Sequence, residues 1–199
     1  MNDFVKPDGV ERRALHSVEL RAGSGEDGGL PTISGHAAVF DQLSEDLGGF
    51  RERMAPGAFA ASIGEDDIRA LFNHSPDNVL GRNRAGTLTL AEDRTGLAIK
   101  IDPPDTAFAR DLVTLIERGD ISEMSIGFRT ITDEWNIEEG EPVRTVKAVR
   151  LFDVSPVTFP AYPQTDVAVR SLESYRAGIA PTSTWRRDIA RRRLDLLDT

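Results

Sequence analysis

Apolar and polar residues alternate in short runs along most of this chain, and two-residue periodicity dominates over helical periodicity. In DISEMSIGF, Asp120 to Phe128, the alternation puts Met124, Ile126 and Phe128 on one side and Ser125 and Gly127 on the other. This predicts a strand with Ser125 on an exposed face, where Gly127 would leave its hydroxyl open to a substrate. Weak alternation from Leu15 to Ala22 and the run ISGHAAVF, Ile33 to Phe40, predict two earlier strands, the second with close packing or a bulge at its small residues. Asp41 to Arg53 reads as a loop, and Pro56 to Ile63 as a short helix stopped by Gly64. Ile68 to Asn73 predicts a buried strand that delivers His74 to a turn, Ser75-Pro76-Asp77-Asn78.

Thr87 to Leu90 and Leu97 to Ile101 alternate around Glu92 to Gly96, which predicts a hairpin. The one clear helical period lies between Thr106, a natural N-cap, and Gly119, a natural stop, with Phe108, Leu112, Leu115 and Ile116 on one face. After DISEMSIGF come a polar turn around Glu138 to Pro142 and a strand-like run from Val143 to Phe159. The composition then shifts. Residues 1–170 are expected to form one domain, and residues 171–199 a linker and an arginine-rich tail, helical from Thr184 to Leu197.

Composition narrows the chemistry. With 39% hydrophobic and 29% charged residues the chain reads as an ordinary globular protein, without an apolar run long enough for a membrane span. The N-terminus lacks the apolar segment of a secretory signal, so a cytoplasmic location is expected. The absence of cysteine excludes disulfides, a thiol nucleophile and thiolate metal sites. Of the net charge of −9, residues 170–199 carry +3 and residues 1–169 carry −12, so the body should repel nucleic acid. No HExxH, P-loop or dinucleotide fingerprint occurs, and no cofactor is expected.

A serine acts as a nucleophile when a base takes its proton, most often a histidine oriented by a third group. Of the three histidines, His16 and His36 lie on strands, whereas His74 at a strand end is the best base for Ser125. Asp153, inside LFDVSPVTF, would cost several kcal/mol to bury unpaired. A histidine N–H would satisfy it, as would water at a sheet edge or an arginine. Glu123, Asp120, Asp133 and Glu134 are rival acids in more polar surroundings.

Five stretches taken together, GHAAVFDQ (35–42), ERMAPGAF (52–59), LFNHSPDNVLGR (71–82), EMSIGF (123–128) and LFDVSPVTFPAYP (151–163), resemble the prohead maturation protease family of tailed bacteriophages. The resemblance implies an α+β fold related to herpesvirus assemblin, an antiparallel β-barrel surrounded by helices. It implies Ser125 as nucleophile, His74 as general base and Asp153 as orienting acid, at a position where the family often has glutamate. The shorter acid withdraws the carboxylate by roughly 1.5 Å, so either the backbone or another group must compensate. The oxyanion donors are left open between backbone N–H groups and Arg82, Arg129 or Arg150. The implied substrates are the scaffold segment of the major capsid protein and the protease itself, cut inside the prohead in the host cytoplasm, with self-association. The competing reading is a non-enzymatic assembly or scaffolding protein on the same barrel.

Overall fold

The spine of the protein is a pair of long antiparallel strands, β9 (Glu123–Glu138) and β10 (Glu141–Val157), joined by the turn at Glu139 and Gly140. Both turn residues have positive φ, 50° and 86°, as the tightest hairpin connection requires. A computed structural model supplies the coordinates and describes residues 10–15, 20–23, 29–159 and Tyr175. His16, most of the segment 160–199, and hence the predicted tail helix, lie outside the described residues.

Along the outer edge of β9 runs β1 (Glu11–Leu15), antiparallel. β10 pairs in parallel with β4 (Arg51–Met54) through its first half and with β5 (Arg69–Phe72) near its end, and β6 (Ser75–Arg82) flanks β5. The resulting six-stranded sheet curls into a half-barrel. A second, four-stranded antiparallel sheet has the order β2 (Arg21–Ala22), β3 (Ile33–Val39), β8 (Gly96–Ile101) and β7 (Leu88–Glu92). Helices α1 (Ala60–Glu65) and α2 (Ala107–Arg118) complete the described elements, with a single 3-10 turn at Asn83–Ala85.

One core joins the sheets. Met124, Ile126, Phe128, Val146 and Val154 from the long hairpin meet Ile33, Ala38, Leu97 and Ile101 from the smaller sheet and Leu112 and Ile116 from α2. The α2 limits follow the sequence: Thr106 accepts from the Ala109 N–H at 3.3 Å, and Gly119 ends the helix at φ 80°. The β7–β8 hairpin and the bulge in β3, between His36 and Ala38, also lie where the pattern placed them.

Several expectations need correction. The fold is α+β in that strands and helices both occur, but it is mostly strand, and the two α-helices span six and twelve residues among the described residues. The larger sheet is mixed, since β4 and β5 run parallel to β10. β4 lies in the segment read as loop; it is short and polar, and its stability comes from pairing rather than from its own pattern. Helix α1 starts four residues later than Pro56 and continues through Gly64. The first strand begins at Glu11, before the alternation that suggested it.

Charge, not apolar packing, closes one end of the core. Glu11 and Arg13 of β1, Glu52 of β4 and Arg144 of β10 are all at least 95% buried. Arg144 Nη1 reaches Glu11 at 2.8 Å and Glu52 at 2.9 Å, and its Nε reaches Asp133 at 2.6 Å. Arg13 bonds the same two glutamates, each at 2.8 Å, and Thr130 donates to Glu11 at 2.7 Å. Burial by itself would raise the Glu11 carboxyl, but Arg144 and Arg13 outweigh it and hold it below its ordinary 4.5.

Replacing Arg144 by alanine leaves the two buried glutamates with Arg13 as their one remaining cation and is expected to remove about 3–5 kcal/mol of stability in urea unfolding. Alanine at Lys147, whose half-exposed ammonium pairs with Glu134, should leave the unfolding curve nearly unchanged. Because the folded Glu11 value is depressed, its contribution is complete above 4.5 and is lost as pH falls through that lower value. The urea midpoint should therefore drop more steeply with acid in the parent protein than in Glu11→Gln.

Candidate active site

The hairpin β5–β6 turns through Asn73 and His74, with Phe72 paired to Ser75. Both turn residues are left-handed, φ 53° and 55°. Asparagine and histidine tolerate this region better than most residues, at about 1 kcal/mol or more. The sequence had placed the turn at Ser75 to Asn78, but those residues belong to β6, because Asn73 and His74 make the turn themselves.

Asn73 fastens the turn to the end of β10. Its N–H donates to the Pro156 carbonyl at 3.0 Å, its Nδ2 to Thr158 Oγ1 at 3.1 Å, and its Oδ1 accepts from the Thr158 N–H at 2.9 Å. His74 is thereby carried to the face of β9 and β10 that looks away from the shared core. Its Nε2 lies 2.7 Å from Ser125 Oγ and its Nδ1 lies 2.6 Å from Asp153 Oδ1. An ionised Asp153 only accepts, so Nδ1 carries the proton and Nε2 accepts from the Ser125 hydroxyl.

A bulge in β10 aims Asp153. Leu151 pairs with Phe128, but Asp153 pairs with Gly127, so Phe152 is the extra residue. Without the bulge Asp153 would stand opposite Ile126 and point into the apolar core. The kink leaves backbone groups to satisfy, and Ser62 Oγ accepts the Leu151 N–H at 2.7 Å. The aspartate is 9% exposed, and its carboxylate lies over Gly127.

Gly127 thus has a role different from the expected one. A methyl group built there would stand 3.1 Å from Asp153 Cγ and closer still to Oδ2. The missing side chain makes room for the acid rather than for substrate. Ser125, expected on an exposed face, is fully buried, since β9 is covered on both edges by β1 and β10 and His74 lies against the hydroxyl.

Most of the remaining candidates are engaged elsewhere. His36 Nε2 lies 2.8 Å from Asp93 Oδ2, and this contact, with backbone donors from Gly96 and Thr95, pulls the Asp93 carboxyl down to about 2. Asp120 pairs with Arg118, Asp133 with Arg144, and Glu134 with Lys147. Glu123 is near Ser125 in β9, but its buried Oε2 finds no hydrogen-bond partner among the described residues. Arg82 pairs with Asp67, whose carboxyl it draws down to about 2, and Arg150 pairs with Asp66. Arg129 and Arg150 each lie 5.9 Å from the Phe152 ring centre. Among the described residues no group of three or more metal-ligating side chains occurs, and no helix is long and apolar enough to cross a membrane.

Sequence reasoning missed Asn73, whose signal was its asparagine beside a histidine at a strand end, the Asn-rich chemistry of tight hairpins. It missed the bulge because Phe152 reads as one more apolar strand position. The arrangement can do acyl transfer: a hydroxyl, a base within reach of its proton, and a buried acid that orients the base.

A family model described as caudovirus prohead serine protease matches residues 16–177. The chain is 27% identical over 188 residues to the prohead protease of Enterobacteria phage HK97, across 92% of this chain and 78% of that protein. No solved structure matches the chain.

Gly127→Ala should push the Asp153 carboxylate off His74 while leaving Ser125 and His74 in place. Labelling of Ser125 by a fluorophosphonate is expected to slow by about 100-fold, the usual effect of misplacing a reacting constellation by an ångström. A labelling rate equal to that of the parent protein would contradict the tight approach of Asp153 to Gly127.

Proposed function

The chain belongs to the caudovirus prohead serine protease family, and from that premise we propose that Ser125, His74 and Asp153 are its catalytic triad. The protein is a serine-type peptidase that acts in phage capsid maturation. The observation that carries the triad is the unbroken line of contacts, 2.7 Å from Ser125 to His74 and 2.6 Å from His74 to Asp153. The competing reading, a scaffolding protein on a protease-like barrel, gives no reason for a buried acid, a left-handed histidine and a buried serine to converge.

In the reaction His74 Nε2 takes the Ser125 proton as Oγ attacks the scissile carbonyl. Asp153 stabilises the imidazolium and keeps the ring oriented without accepting the proton itself. His74 then gives its proton to the leaving amine, and the acyl group stays on Ser125. Water, deprotonated by the same nitrogen, attacks the ester and frees the carboxylate product. The substrate in this reading is the capsid protein within the prohead in the host cell, cut at its scaffold segment, with the protease trimming itself as well. The family relation also supports self-association and an assemblin-like arrangement of the strands. The arginine-rich segment beyond residue 170 suits docking to an acidic scaffold.

Coexpression with the capsid protein, followed by mass measurement of both chains, tests the assignment. Ser125→Ala and His74→Ala should each lower cleavage by about 10⁴-fold or more, since triad members act as a unit. Trimming that persists in Ser125→Ala would sink the nucleophile assignment. Cleavage by the parent protein should also fall off at acid pH, because a protonated Nε2 has no lone pair for the serine proton.

A further inference from the structure

Beyond Asp153 the strand β10 carries Val154 into the core and returns Ser155 to the face that holds the triad. Ser155 is fully buried and is the direct cross-strand partner of Ser125. Its Oγ lies 2.7 Å from Asp153 Oδ1, the same oxygen that accepts from His74. An ionised carboxylate only accepts, so the Ser155 hydroxyl donates.

Two donors meeting on one oxygen constrain a torsion that is otherwise soft. The terminal torsion of aspartate is broad and roughly two-fold, so packing alone would let the carboxylate rock about its axis. Gly127 supports it from below, but an open backbone contact has little directional preference. A hydroxyl fixed on the same strand two residues later supplies direction. It also draws off part of the charge that Asp153 presents to His74.

We propose that Ser155 is a positioning residue of the peptidase, a fourth link in the chain Ser125–His74–Asp153–Ser155, which fixes the carboxylate plane and moderates its charge. The inference rests on the reading of Ser125, His74 and Asp153 as the triad. Ser155 meets no reacting atom; it acts through Asp153.

The test uses the full chain and a peptide spanning the capsid-protein site mapped by coexpression. Ser155→Ala should lower kcat by about 10- to 100-fold with KM unchanged, the effect of a misaligned rather than absent acid. The acid limb of its kcat profile should move to higher pH, because Asp153, freed of one donor, holds the imidazolium more tightly. A merely structural serine would change stability and leave that limb in place. If Ser155→Ala does not fold, Ser155→Cys, similar in size but a weaker donor, serves instead; the same shift in smaller amount supports the proposal. A folded variant with parent kcat and an unmoved limb overturns it. Cleavage that survives Ser125→Ala overturns the triad, and this proposal with it, whereas active parent protein with an unaffected Ser155 variant overturns the fourth link alone.

Discussion

The pairing of β9 with β10, and the extra residue Phe152 within it, is the constraint on which the site depends. Register in an antiparallel pair decides which face each side chain takes, and one residue of slip reverses every assignment. The register shifts twice between Val146 and Val149, where the two shifts cancel, and again between Leu151 and Asp153, where Phe152 is the extra residue. Upstream of it Leu151 faces the core; downstream Asp153 and Ser155 face the site, while Val154 stays in the core. A strand can thus serve the hydrophobic interior and a polar constellation within five residues. The other parts follow from that choice: Gly127 must lack a side chain, Ser62 must cap the freed Leu151 N–H, and the histidine must arrive from a neighbouring hairpin.

The buried ionic cluster is the second fixed point, and it works on the same strands. Among the described residues β1 pairs with β9, directly beside Met124 to Phe128. Glu11 and Arg13 lock that edge strand to β4 and β10 through Glu52 and Arg144. Ion pairs in a core contribute little net stability compared with apolar residues of the same shape, but they tolerate only one geometry. The position of the edge strand β1 against β9 is therefore specified by charge as well as by backbone hydrogen bonds.

Much of this was legible in the amino-acid sequence, for reasons that differ between regions. Helix α2 was readable because its cap, its period and its terminal glycine agree with one another. The strand around Ser125 was readable because Met124, Ile126 and Phe128 alternate with small or polar residues. The proposal of Ser125, His74 and Asp153 as site residues came from five separated motifs that resemble one family, not from local pattern. What was not legible depends on partners distant in the chain. β4 exists because β10 pairs with it, and Arg144 looks like a surface residue until Glu11 and Glu52 are brought to it. The face of Asp153 depends on a bulge that no alternation rule reveals. Gly127 was read as space for a substrate because the sequence cannot show that Asp153 fills it.

The complete burial of Ser125 has a kinetic meaning. A hydroxyl without solvent contact meets a peptide bond only in the fraction of molecules whose surroundings have parted, and the apparent affinity for substrate falls by that fraction. An opening that costs about 2 kcal/mol would weaken the apparent affinity for substrate roughly thirtyfold. Contacts that favour the open population would then set when the enzyme works, while the bond-breaking chemistry stays constant. In such a protein timing resides in access, and the hydrogen-bonded line of residues beneath can remain permanently assembled.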